Sequence, residues 1–206
     1  MTFRVVGIGA SAGGLDAISD LLGALPPRTG LAYIVVQHLD PHHESRLPEI
    51  LARTVTVPVT AAVAGELPEP DHVYVIPPNA TLTVADKRFH LEQRPAFERH
   101  LPVDALLKSL AVDYAGDAIG VILSGGDSDG SLGIQAIKHE GGIVFAQDPD
   151  FARFGDMPRH AIETGFVDRV LSPKEIASEL VRLSRQSSSS DAAPGSGTAE
   201  EDTFLK

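Results

Sequence analysis

The chain has 206 residues and no cysteine, and its 28 acidic and 17 basic side chains give a formal net charge of −11 at pH 7. The missing thiols exclude a disulfide scaffold, a cysteine nucleophile and any site with cysteine ligands. The negative charge disfavours nucleic acid or an anionic membrane surface as the partner. Because the sequence has neither an export signal nor an apolar stretch of membrane-spanning length, we expect a cytoplasmic protein that is not inserted in a membrane.

Short apolar runs alternate with helical periodicity along most of the chain. Nearly continuous apolar runs are typical of parallel strands covered on both faces, and apolar residues every three or four positions are typical of helices. The alternation predicts an α/β fold with a doubly wound, mostly parallel sheet flanked by helices. The predicted strands are Phe3–Ile8, Leu31–Val36, Ile119–Leu123 and Ile143–Ala146, and the predicted helices are Leu15–Leu25, Glu44–Arg53, Val103–Leu110, Ser131–Glu140 and Lys174–Arg185.

Two regions depart from this alternation. In the middle of the chain, His72–Ile76, Ala80–Ala85 and Arg88–Glu92 predict a small antiparallel hairpin insertion with a turn at Asp86-Lys87. Near the C-terminus the composition becomes rich in serine, glycine and proline, which lack the apolar surface needed for a packed core. We therefore expect one domain over residues 1–185 and a disordered linker or tail over residues 186–206.

The turn after the first predicted strand fits two motifs at once. Gly7 to Ala12 matches G-x-G-x-x-A, a dinucleotide fingerprint whose glycines let the backbone approach a pyrophosphate. Gly9 to Gly13 matches G-x-S-x-G, a nucleophile elbow in which small neighbours allow Ser11 to project from a sharp strand-to-helix turn. The fingerprint also needs an acidic residue at the end of the second strand, where the chain has His38 and only later Asp40.

A serine, a histidine and a carboxylate follow three predicted parallel strands. Ser11 follows the first, His38 the second and Asp129 the third, and the carboxyl ends of such strands share one edge where ligands bind. These three residue types are the ones that acyl transfer uses. The imidazole accepts the hydroxyl proton, and the carboxylate orients the imidazole. Taken singly, a strand-end histidine can be a loop hydrogen-bonder, and Asp127 and Asp129 can be turn formers or helix caps.

Other classes of function remain open at this point. The histidines 38, 42 and 43, or Asp127 with Asp129, could bind a metal, although neither set is complete. An oxidoreductase built on the glycine turn would bind a dinucleotide or a flavin. A silent adaptor, which has the same fold but no catalytic activity, would bind a partner without catalysing a reaction.

The motifs resemble the catalytic domain of the chemotaxis receptor methylesterases, the CheB family. The matching segments are Gly9–Gly14, Val35–His38 and Leu123–Gly130. Phe154–Pro158 resembles a family motif near the active-site cleft, which places Met157 there. The resemblance implies a serine hydrolase that removes methyl esters from glutamyl side chains on cytoplasmic helices of chemoreceptors and that can also deamidate glutamine.

The resemblance also implies the role of each residue. Ser11 is the nucleophile, His38 the general base and Asp129 the orienting acid, and the backbone N–H groups of Ala12 and Gly126 are candidate donors to the oxyanion. No cofactor and no metal are expected in this mechanism.

The chain departs from the family pattern in its site and in its architecture. Many members have a threonine where this chain has Ala12, and Asp127 adds a carboxylate that we expect to face solvent, because an inward one would raise the pKa of His38. Because its first predicted strand begins at residue 3, we expect the chain to lack the receiver domain of typical members. Gln37–Ser45 and His72–Asn79 most resemble the version joined to a CheR-type methyltransferase, so we expect such a fusion or a free-standing relative.

Overall fold

The computed structural model describes residues 3–37, 46–94 and 100–190, with the backbone alone at 187–190. Strands and helices alternate along these residues. The strands are β1 (Val5–Ala10), β2 (Ala32–Gln37), β3 (Val59–Ala61), β4 (His72–Val75), β5 (Ala80–Ala85), β6 (Arg88–Gln93), β7 (Ala118–Ile122), β8 (Ile143–Gln147) and β9 (Arg169–Leu171). The α-helices are α1 (Gly14–Gly23), α2 (Leu47–Leu51), α3 (Pro102–Tyr114), α4 (Ser131–His139), α5 (Asp156–Glu163) and α6 (Pro173–Ser190).

Seven strands form one parallel sheet in the order β3-β4-β2-β1-β7-β8-β9. β1 pairs with β2 on one side and with β7 on the other, so the strand order reverses at the centre of the sheet. Every residue of β1 and β7 is buried. The predicted doubly wound, mostly parallel sheet is confirmed. In such sheets the ligand crevice lies beyond the carboxyl ends of the strands at this reversal.

Helices cover both faces of the sheet. On one face, Leu106 and Leu110 of α3 share an apolar core with Phe89 of β6. On the other face, Leu21 of α1 and Leu180 of α6 belong to a second core. Burial on both faces explains why the central strands consist of nearly continuous apolar runs.

The segment His72–Ile76 does not belong to the antiparallel insertion, so that part of the prediction is wrong. β4 pairs in parallel with β2 and with β3. Its residues 73–75 are all buried, and continuous burial is typical of a parallel strand inside a covered sheet. The other two segments do form an antiparallel hairpin, β5–β6. Its turn residues Asp86 and Lys87 have φ of 50° and 60°, as a two-residue type I′ turn requires.

α6 begins where the sequence predicts and ends later. The Ser172 N–H donates to the Glu175 carboxylate at 2.9 Å, and the Glu175 N–H donates to the Ser172 hydroxyl at 3.4 Å, which is a capping box. The helix continues to Ser190, past the predicted end at Arg185. The first residues of the expected tail are therefore helical, and residues 191–206 lie outside the described part of the chain.

The sequence pattern missed three short elements, β3, β9 and α5. The two strands have three residues each, lie at the edges of the sheet and are mostly exposed, so they carry little apolar signal. α2 is shorter than the predicted Glu44–Arg53, whose first two residues lie outside the described ranges. Within those ranges, no helix combines the length and the apolar character needed to cross a membrane.

Candidate active site

Ser11 lies in the turn between β1 and α1, at the carboxyl edge of the sheet. Its N–H donates to the Ser124 carbonyl at 2.9 Å, which ties the turn to the loop 123–130 that follows β7. Its own carbonyl accepts the Gly14 N–H at 3.0 Å. Ser11 is half-buried and the next residue, Ala12, is exposed. The fold therefore fixes the backbone of the predicted nucleophile at the N-terminal, partially positive end of a helix.

Gly13 completes this turn with a φ of +69°, which side-chain-bearing residues rarely adopt. A Cβ at this position would lie 2.9 Å from the Cβ of Arg153 and 3.0 Å from the Phe154 ring. Glycine is therefore needed both for the left-handed backbone and for the close approach of the loop 148–155, which follows β8.

Met157, the residue predicted at the cleft, lies beside the same turn. The Gly125 N–H donates to the Phe154 carbonyl at 3.0 Å, and the Met157 N–H donates to the Gly125 carbonyl at 2.9 Å. A Cβ at Gly125 would lie 2.9 Å from the Met157 Cβ and 3.0 Å from the Ser11 Cβ. The buried Met157 and the serine therefore flank one glycine, so close that no side chain fits between them.

Asp129 is 1% exposed, and both of its carboxylate oxygens accept backbone N–H groups. Oδ2 accepts from Val103 at 2.9 Å and Oδ1 accepts from Asp104 at 2.8 Å. Because these residues lie in the first turn of α3, the carboxylate caps that helix and is stabilised by its dipole. Val103 also packs against Gly9 of β1, which brings Asp129 to the edge where Ser11 lies. Each oxygen has capacity for a second hydrogen bond, so the cap is compatible with orienting an imidazole.

Asp104 is a buried carboxylate that the sequence analysis did not single out. It is 4% exposed, and its Oδ1 accepts the Gly133 N–H at 2.7 Å in the first turn of α4. Burial raises the pKa of Asp104 and the neighbouring Asp129 carboxylate adds to the rise, while the bond from Gly133 opposes it. The two aspartates thus cap each other's helices. The one local signal for Asp104 is its place two residues after Pro102, in the acidic-favouring first turn.

The extra carboxylate of Asp127, which we expected to face solvent, does so only in part. Asp127 is half-buried, and its Oδ1 accepts the Asp129 N–H at 2.8 Å, the pattern of an Asx turn. This local bond satisfies a backbone donor inside the 123–130 loop. Gly126, the second candidate oxyanion donor, is exposed in the same loop. Among the described residues, no three His, Asp or Glu side chains are grouped to hold a metal, and His42 and His43 lie outside these residues.

His38, the predicted base, also lies outside the described residues. The structure does define where its segment starts, because Gln37 at the end of β2 lies in register with Ala10 at the end of β1. Ser11 and His38 therefore follow neighbouring strands from aligned positions. The distances from His38 to Ser11 and to Asp129 stay predictions.

The sequence and the fold are similar to those of known proteins. A family model described as CheB methylesterase matches residues 6–180. A relative from Leptospira interrogans, named as a protein-glutamate methylesterase/protein-glutamine glutaminase, is 36% identical over 186 residues, which cover 89% of this chain and 96% of the relative. A relative of the same name from Anaeromyxobacter dehalogenans is 39% identical over 191 residues, but the match spans 52% of its length.

The fold matches a solved structure as well. The crystal structure of the Thermotoga maritima CheB methylesterase catalytic domain aligns with a TM-score of 0.82 and 31% identity. The alignment covers 89% of this chain and 100% of that chain.

Proposed function

The chain belongs to the CheB methylesterase family, and from this premise we propose that it hydrolyses methyl esters of glutamyl side chains on the cytoplasmic helices of chemoreceptors. The relatives' shared name adds a second reaction, the deamidation of glutamine. Both reactions attack the same kind of side-chain carbonyl and differ in the leaving group, which is methanol in the first and ammonia in the second. One nucleophile therefore serves both.

In the proposed mechanism, Ser11 Oγ attacks the side-chain carbonyl while His38 takes the hydroxyl proton. Collapse of the tetrahedral intermediate expels methanol and leaves an acyl-enzyme, which water hydrolyses by the same route. The Ala12 and Gly126 N–H groups would bind the developing oxyanion. Asp129 would hold the imidazole in the required tautomer and stabilise it when it is charged.

The observation that carries this proposal is the placement of Ser11. It is partly exposed at the N-terminus of α1, and its backbone is bonded to the loop that leads directly to the buried carboxylate of Asp129. A solvated serine in an ordinary turn would need neither the close contacts around Gly13 nor a buried acid on the adjacent loop.

We also propose that the family's CheR-type methyltransferase is a partner, either joined to this chain or separate. The support is the resemblance of the sequence to the fused version. The reading frame that follows Lys206 tests the covalent form, and a stop codon without a methyltransferase would rule that form out.

The test of the hydrolase is methanol release from a methylated receptor fragment. Ser11→Ala is expected to lower the rate about 10⁴-fold or more, because it removes the nucleophile. Ser19→Ala, which changes a serine of α1 outside the proposed mechanism, is the matched control and should keep the wild-type rate.

Labelling by a fluorophosphonate separates the enzyme from a silent adaptor. Modification at Ser11 that His38→Ala abolishes supports the proposed triad. A wild-type protein that binds the receptor fragment, releases no methanol and takes no label would be an adaptor.

A further inference from the structure

Ser124 is bonded through all of its polar groups, although the mechanism above gives it no role. It is 1% exposed. Its N–H donates to Gln147 Oε1 at 2.9 Å, and its carbonyl accepts the Ser11 N–H at 2.9 Å. Its hydroxyl donates to the Ala12 carbonyl at 2.9 Å and accepts the Phe154 N–H at 3.0 Å. One side chain therefore joins the nucleophile turn, the 123–130 loop and the 148–155 loop.

These bonds hold the peptide groups on both sides of the nucleophile. The peptide before Ser11 is held because the Ser11 N–H donates to the Ser124 carbonyl. The peptide after Ala12 is held because the Ala12 carbonyl accepts from the Ser124 hydroxyl. The peptide between them is held through the Ser11 carbonyl, which accepts from the Gly14 N–H at 3.0 Å and from Gln37 Nε2 at 3.4 Å.

The N–H of that middle peptide is the oxyanion donor proposed above. In a trans peptide the N–H points away from the C=O, and the described chain has no cis peptide bond. The Ala12 N–H is therefore directed away from Gly14 and Gln37. No described residue accepts it.

We propose that Ser124 is a positioning residue for this hydrolysis, whose hydroxyl and carbonyl lock the turn so that the Ala12 N–H stays aimed at the developing oxyanion. This inference rests on the proposed function. A donor contributes fully only when it is oriented before charge develops. A displacement of about 1 Å is enough to cost on the order of 10²-fold in rate.

Gln147 holds Ser124 in place. It is 3% exposed at the end of β8, and its amide holds the Ser124 N–H. Because the hydroxyl and both backbone groups of Ser124 are paired, the serine cannot rotate without breaking several buried bonds together.

The test is Ser124→Ala, measured as kcat and KM for methanol release together with the urea midpoint. We expect kcat to fall about 10- to 100-fold and KM to stay within about twofold, because the lost alignment acts on the transition state and not on substrate binding. Ser124→Cys weakens the same hydrogen bonds while keeping a side chain in place. Its kcat is expected to lie between those of wild type and Ser124→Ala. If Ser124→Ala does not fold, the kcat of Ser124→Cys tests the inference in its place.

Ser109→Ala is the matched control. The Ser109 hydroxyl also donates to a backbone carbonyl, that of Leu106 at 2.7 Å, and also accepts a backbone N–H, that of Val84 at 2.9 Å. It joins α3 to β5 and has no part in the nucleophile turn. Its loss should lower the urea midpoint about as much as Ser124→Ala and leave kcat unchanged. Equal stability losses with an unchanged kcat in both variants would overturn the inference.

The rate of Ser11 labelling by a fluorophosphonate separates this inference from the proposed function. A wild type that takes the label but releases no methanol would refute the methylesterase proposal alone. Slower labelling of Ser124→Ala would then still support the positioning role, and equal labelling would overturn it. A wild type that neither labels nor hydrolyses would overturn both.

Discussion

The acid side and the nucleophile side of the candidate site are held in place by different interactions. Asp129 and Asp104 are buried carboxylates that accept N–H groups at the starts of α3 and α4. α1, in contrast, begins after Gly13 with no side-chain cap. The Ser11 turn depends on neutral hydrogen bonds and close contacts, which are individually about half as strong as charge-assisted ones. Asp129 is thus secured by charge-assisted bonds that also cap a helix of the fold, whereas Ser11 is placed by neutral hydrogen bonds and close packing.

Among the substitutions that test this contrast, Asp129→Asn is expected to have the largest effect. The amide replaces one acceptor by a donor that faces a helix N–H, so we expect the free energy of unfolding to fall by about 2 kcal/mol. We also expect methanol release to fall about 10³- to 10⁴-fold, because an amide cannot hold the required imidazole tautomer. Ser11→Ala should lose a similar activity while its stability stays within about 0.5 kcal/mol of wild type. Urea unfolding and methanol release measure the two quantities.

Asp168→Asn is the control for that substitution. Asp168 is exposed, but its carboxylate also accepts a backbone N–H, that of Val144 at 2.8 Å, and it lies outside the candidate site. It should lose stability and keep activity. An Asp129→Asn protein as stable as wild type would show that the acid is not part of the stabilising framework.

A smaller effect is expected from Gly13→Ala, which tests whether shape places the nucleophile. Gly13 and Gly30 have nearly equal φ values of +69° and +72°, but a Cβ meets the 148–155 loop at Gly13 and open space at Gly30. The backbone strain alone should cost each variant about 1 kcal/mol. We expect Gly13→Ala to lose about 1 to 2 kcal/mol more, through overpacking, and to lose activity. Equal unfolding free energies and equal activities for the two variants would contradict this.

The smallest effect concerns the pH dependence of Asp104. Its pKa is raised above the ordinary 3.8, so the folded chain holds this proton more tightly than the unfolded chain does. Its contribution to stability is therefore complete below about pH 3.8 and is lost as the pH rises through the raised pKa. We expect the advantage of wild type over Asp104→Asn to shrink as the pH rises above about 4, measured by urea unfolding. Parallel pH profiles for the two proteins would refute this.

The parts of the site that depend on neighbouring residues in the sequence could be predicted, whereas the contacts that join distant segments could not. Small residues surround Ser11 in the chain itself, so the turn was visible, and Asp129 follows a clear strand. The reciprocal caps connect α3 to the start of α4, and the Ser124 hydroxyl bonds Ala12 across more than a hundred positions. No local pattern encodes such pairings. The same limit explains the error at His72–Ile76, because the partners of a strand are set by the whole sheet and not by its own residues.

The central place of β1 has a consequence for biosynthesis. β1 is made before its neighbour β7, which begins at residue 118, more than 100 residues after β1 ends at residue 10. Until then a nascent chain on the ribosome carries an apolar strand with one edge unsatisfied, which slows folding and invites association with other chains. Premature termination before that point would leave the proposed nucleophile, Ser11, on a polypeptide unable to complete its sheet, so translation itself would delay activity until most of the domain exists.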